Sequence, residues 1–116
     1  MQYHQFMGQV QHRAQMGTLE DAVHATRTTL QTLGERMGEK EAHHLASQLP
    51  EEVGYYLKDT REHGQRFDLD DFFHRVSERE HVDLPASTYH ARVVMDVLTD
   101  AVSAGEIRHL KSQLPE

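Results

Sequence analysis

Glu41 and His44 stand three residues apart, and so do Glu106 and His109. Facing helices that each carry such a Glu-x-x-His pair, joined by one Glu from each of two further helices, build dinuclear iron and manganese sites. Both pairs lead into nearly the same words, "HLASQLPE" at 44–51 and "HLKSQLPE" at 109–116. The first chemistry to weigh is therefore a divalent metal held by Glu41, His44, Glu106 and His109.

A second use competes for the same glutamates. Ser103-Ala104-Gly105-Glu106 spells a capping box and Gly38-Glu39-Lys40-Glu41 a weaker version, in which the Glu serves its own helix start. Helical phase separates the two uses. Measured from the apolar direction of Ala42, Leu45, Ala46 and Leu49, His44 points about 150° away and Glu41 about 90° away. The same arithmetic against Ile107, Leu110 and Leu114 turns His109 outward. No inward pair of glutamates on the longer helices completes a buried site, so metal binding stands as the alternative reading. No catalytic residue and no cofactor are expected.

The chain has ten histidines. His4, His12, His63, His74 and His81 are scattered and expected to be solvated, and the adjacent His43 and His44 diverge by about 100° on a helix. His90 differs, because it falls inside an apolar arc and is expected as a buried, hydrogen-bonded core residue. Gly-rich phosphate loops, Cys nucleophiles and nucleophile-elbow serines are missing from the sequence. Ser47 and Ser112 suit helix termini. Tyr55 and Tyr56 beside Gly54 are a candidate contact patch.

The elements that must position these residues come in two similar sets. Adding 65 carries Arg27 to Arg92, Leu33 to Leu98, Glu41 to Glu106 and Leu49 to Leu114, while an offset of 66 carries Phe6 to Phe72 and Val10 to Val76. This predicts repeat 1 at about 2–58, a polar linker at 59–67 with Gly64, and repeat 2 at about 68–116, all within one domain spanning 1–116. Tyr3, Phe6, Met7 and Val10 form the first helical stripe, and Leu19, Val23, Thr26, Leu30, Leu33 and Met37 the second, starting at an N-cap Thr18. A third helix carries Ala42 to Leu49 and stops before Pro50, which opens a fourth with Val53, Tyr56 and Leu57. Asp68 caps the next helix, and another begins near Pro85. "ARVVMDVL" at 91–98 is β-branched, yet its register with Ala25–Leu33 predicts helix, and its wide apolar arc predicts the central one. The fold class is all-α, a helical bundle of two sequence-similar repeats.

A formal charge of −7 without a basic run argues against nucleic acid as a partner. No run of 18 apolar residues and no leader occurs, so no membrane contact is expected, and a chain without Cys suits the cytoplasm. At 116 residues the chain can bury a core of its own.

The stretches "ATRTTLQTLGERMGEKEAHHLASQLPEEV" and "HARVVMDVLTDAVSAGEIRHLKSQLPE" resemble the bacterial domain-of-unknown-function family 2267 (DUF2267), whose members carry a leucine-bearing helix, a Gly-Glu, a second helix and "QLPE" twice over. The resemblance covers nearly the whole chain and implies a helical fold, with no activity, cofactor or catalytic residue to carry over. Repeat 2 stops where repeat 1 continues through "EVGYYL", which predicts an apolar edge after Leu114 open to another subunit. The expectation is a non-catalytic interaction or assembly module with an unidentified protein partner, capable of homo-oligomer formation.

Overall fold

A computed structural model describes residues 1–102 together with Gly105, Arg108, Lys111 and Ser112, and lays out six α-helices and no strand among them. In chain order these are α1 (Tyr3–Arg13), α2 (Leu19–Arg36), α3 (Glu39–Ala46), α4 (Glu51–Lys58), α5 (Leu69–Glu80) and α6 (Leu84–Ala101). Glu106, His109, the "QLPE" close and the edge after Leu114 lie outside the described residues.

Each long helix starts at a side chain that takes one of its orphan amides. Thr18 Oγ1 accepts from the Asp21 N–H at 3.1 Å, Asp68 Oδ1 from Asp71 at 2.9 Å and Asp83 Oδ1 from Ala86 at 3.0 Å. The Asp83 cap sets the start of α6 at Leu84, so Pro85 occupies its first turn. The segment 91–98 is helical, as its register predicts. α5 ends on His81, which takes the left-handed conformation (φ 60°) of a helix C-terminus, and Asp83 restarts the chain two residues later.

α2, not α6, is the central helix. Among the described residues α2 packs against α1, α4, α5 and α6, whereas α6 packs against α1, α2 and α5. Threonines disguise this in the sequence: Thr26, Thr28, Thr29 and Thr32 are all buried. Thr28 Oγ1 donates to the Ala25 carbonyl and Thr32 Oγ1 to that of Thr28, so these hydroxyls are satisfied within their own helix. Leu19, expected in the buried stripe, is 43 % exposed, and Ala22 and Ala25 take the inner face instead.

Two glycines set the helix spacing. A Cβ on Gly34 would collide with the Leu57 carbonyl oxygen, and one on Gly54 would stand 2.7 Å from that of Ala46. α4 therefore lies directly on the backbones of α2 and α3. The linker is tied down too, since the Gly64 N–H donates to the Met37 carbonyl at 2.7 Å and that of Gln65 to the Glu35 carbonyl at 2.9 Å. Gly64 makes this return with φ 72°.

Candidate functional site

Glu41 and His44 lie on α3 as helical phase requires: His44 is exposed, and Glu41 is half-buried at the flank. The Glu41 carboxylate reaches back over Gly38, the N-cap of its own helix, so closely that a Cβ there would collide with Oε2. The carboxylate therefore lies against the start of its own helix. Among the described residues no group of three His, Cys, Asp or Glu side chains could hold a metal ion.

His90 belongs to a different arrangement. Its Nδ1–H donates to Glu80 Oε2 at 2.6 Å, and the buried Ser87 hydroxyl donates to Glu80 Oε1 at 2.8 Å. The Glu80 side chain is 3 % exposed and that of His90 19 %, so the imidazole is half-buried rather than fully buried. The Glu80 backbone carbonyl accepts from His24 Nε2 at 3.1 Å, and His24 Nδ1 accepts from Arg27 at 3.0 Å, which assigns the Nε2–H tautomer to His24. A carboxylate with both oxygens bonded thus clasps the end of α5 to α6, with α2 alongside. Ser87 donates to the carboxylate and is closed to solvent, so the set holds helices together and lacks the access and polarity of a nucleophile.

A second carboxylate does similar work at an open place. Glu35 receives both guanidinium nitrogens of Arg79, at 2.8 and 2.9 Å, and one of Arg75 at 3.2 Å. Such a fork on a carboxylate that is 15 % exposed is the strong form of ion pair. Arg75 also donates to Gln65 at 3.0 Å and stacks 3.9 Å over the Phe67 ring, so the linker is part of the same cluster. His63, expected to be solvated, donates from Nδ1 to the Gly34 carbonyl at 2.8 Å.

Beside this cluster opens a cleft of about 650 Å³. Gln31 and Glu35 of α2, Arg79 of α5, Gln65 of the linker and the chain leaving α4 from Lys58 to Glu62 surround it. Gln31 donates to Asp59 at 3.0 Å across it. On the neighbouring turn of α4, Tyr55 is 55 % exposed, while burial pushes the Tyr56 phenol above its ordinary pKa range, with Tyr3 and Glu52 adding to the shift and Arg27 opposing it.

The family model described as "Uncharacterized conserved protein (DUF2267)" matches residues 3–116. The chain belongs to the DUF2267 family. Among curated proteins none matches it. The match extends the likeness from two quoted phrases to the whole helical array, and it assigns no role to any residue. The candidate site of this DUF2267 chain therefore rests on geometry, which among the described residues points to the cleft. Glu35, Arg75, Arg79 and Glu80 went unnoticed in the sequence, because their partners are on other helices. One signal was available: the buried stripe of Phe72 and Val76 continues four residues on at Glu80, placing a carboxylate on the inner face.

Proposed function

We infer that this chain is a non-catalytic helical interaction module. One observation carries the reading: among the described residues the shielded carboxylates of Glu80 and Glu35 are engaged in bonds between helices, while a charged cleft is open at the surface. Nothing in that arrangement activates a nucleophile or a water, and much of it presents charge and hydrogen-bonding groups to a partner. The acidic chain without cysteine suits a cytoplasmic setting. Native mass spectrometry of the protein isolated from its host, with elemental analysis, tests this. The expected result is a bound protein or second copy. Stoichiometric zinc, iron or manganese would instead support the alternative metal reading through Glu41, His44, Glu106 and His109.

The same proposal includes descent from a duplicated helical unit. Its support is that α2 runs from Leu19 to Arg36 and α6 from Leu84 to Ala101, each bound 65 residues on, with side-chain caps at Thr18 and Asp83 and extended C-caps at Met37 and Val102. Leu33 and Leu98 are equivalent under this offset, and both are fully buried. Truncation of either to Ala should cost about 2–5 kcal/mol, with the two values alike, as read by urea unfolding. A large loss at one and a small loss at the other would argue against equivalent packing.

A further inference from the structure

We propose that the linker from Thr60 to Arg66 is a strap that opens locally while the bundle stays folded, with His63 as its pin. The strap forms one wall of the cleft, so its movement converts the cleft from a closed form to an open one. Such opening belongs to the wall alone and does not depend on what fills the cleft.

Hydrogen bonds, without apolar burial, hold the strap in place. Leu57 at the end of α4 and Phe67 before α5 are buried, and no residue between them is. Lys58 to Arg66 are all polar, charged or glycine, so opening takes no apolar side chain of the strap out of the core. Three of its bonds fall on the end of α2. The His63 Nδ1–H donates to the Gly34 carbonyl at 2.8 Å, the Gly64 N–H to that of Met37 at 2.7 Å and the Gln65 N–H to that of Glu35 at 2.9 Å. A helix leaves the carbonyls of its last turn without partners, and the strap supplies the donors that α2 lacks there. Two side-chain bonds complete the hold, Gln31 to Asp59 at 3.0 Å and Arg75 to Gln65 at 3.0 Å.

Both ends of the strap are hinged on fixed points. The Asp59 N–H donates to the Tyr55 carbonyl at 2.9 Å where α4 closes, and Phe67 is stacked under Arg75 while its carbonyl accepts from Arg36 at 3.3 Å. Each bond along the strap contributes little net free energy, because water replaces it on opening, and the freed backbone regains entropy. A segment held in this way opens at a small fraction of the cost of global unfolding. The chain from Lys58 to Glu62, with Gln65, makes up most of the cleft's lining. Opening therefore takes that wall away. It leaves Gln31, Glu35 and Arg79 as the remaining lining and frees the carbonyls of Gly34, Glu35 and Met37 to accept other donors.

Amide hydrogen exchange of the full chain, followed by NMR, tests this. In wild type the Gly64 and Gln65 amides should exchange at rates that urea below the unfolding transition leaves unchanged, while the amide of the buried Leu33 accelerates with urea. Leu98→Ala removes a buried side chain of α6, so it should speed exchange at Leu33 and not at Gly64 or Gln65. His63→Ala should speed exchange at Gly64 and Gln65 about two- to tenfold, as the loss of one hydrogen bond implies. His63→Phe, which keeps a ring and removes the donor, is the second variant should the alanine disturb folding. Strap amides that follow Leu33 through urea, or that accelerate with it in Leu98→Ala, would show that the strap moves only with the bundle and would overturn the proposal. Unchanged strap exchange in a folded His63 variant would overturn the assignment of His63 as the pin.

Discussion

Glu80 is the residue on which three helices agree. Its carboxylate is 3 % exposed and takes one donor from Ser87 and one from His90, so removing either donor leaves a buried charge short of a partner. His90→Ala should therefore lose about 1.5–3 kcal/mol of stability, whereas His12→Ala, on the open face of α1, should stay within about 0.5 kcal/mol. Urea unfolding of the two variants reads the contrast, and equal losses would show that the clasp contributes nothing. Tyr56 gives the molecule an alkaline limit. Its folded-state pKa is raised by burial, so the stability it contributes is fully present below the unfolded value of about 10 and is lost as pH rises through the folded one. Thermal unfolding followed from pH 8 to 11 should fall less steeply for Tyr56→Phe than for wild type. Parallel curves would mean the phenol is not what titrates.

At the scale of elements, two glycines inside helices do opposite things. Gly34 lets the Leu57 carbonyl come down on α2, while Gly8 on α1 has nothing within 4 Å of where its Cβ would be. Gly34→Ala should destabilise by about 1–3 kcal/mol through the clash with backbone, which exceeds the gain in helix propensity. Gly8→Ala should stabilise by up to about 1 kcal/mol, because propensity is the only thing that changes. Differential scanning calorimetry decides both, and shifts of the same sign would refute the assignment. The starts of α2, α5 and α6 and the helical state of 91–98 were legible in the sequence, since caps and apolar period are local properties. The centrality of α2 was hidden, because four of its inner residues are threonines, which give no apolar signal; Thr28 and Thr32 bond their hydroxyls to the preceding turn. The roles of Gly34 and Gly54 were hidden for a different reason: close approach of two backbones is a tertiary fact. Glu41 and His44 attracted attention by spacing, yet the Glu41 carboxylate lies against Gly38 at the start of its own helix and His44 is exposed.

On the scale of the whole molecule, the charged groups of an acidic chain are partitioned. The carboxylates of Glu80 and Glu35 clasp helices, and an open cleft lined by charges of both signs lies beside Glu35 and Arg79. That cleft was not legible in the sequence, because Glu35 and Arg79 are 44 residues apart and meet only once α2 and α5 pack. The central claim is that a protein partner occupies this place. A photo-crosslinking residue introduced at Thr60, which lines the cleft, and separately at the exposed Gly8 of α1, which does not, tests it in cells that make the protein naturally. The account predicts one discrete protein adduct from position 60 that is not formed from position 8. An adduct formed equally from both positions, or from position 8 alone, would contradict it.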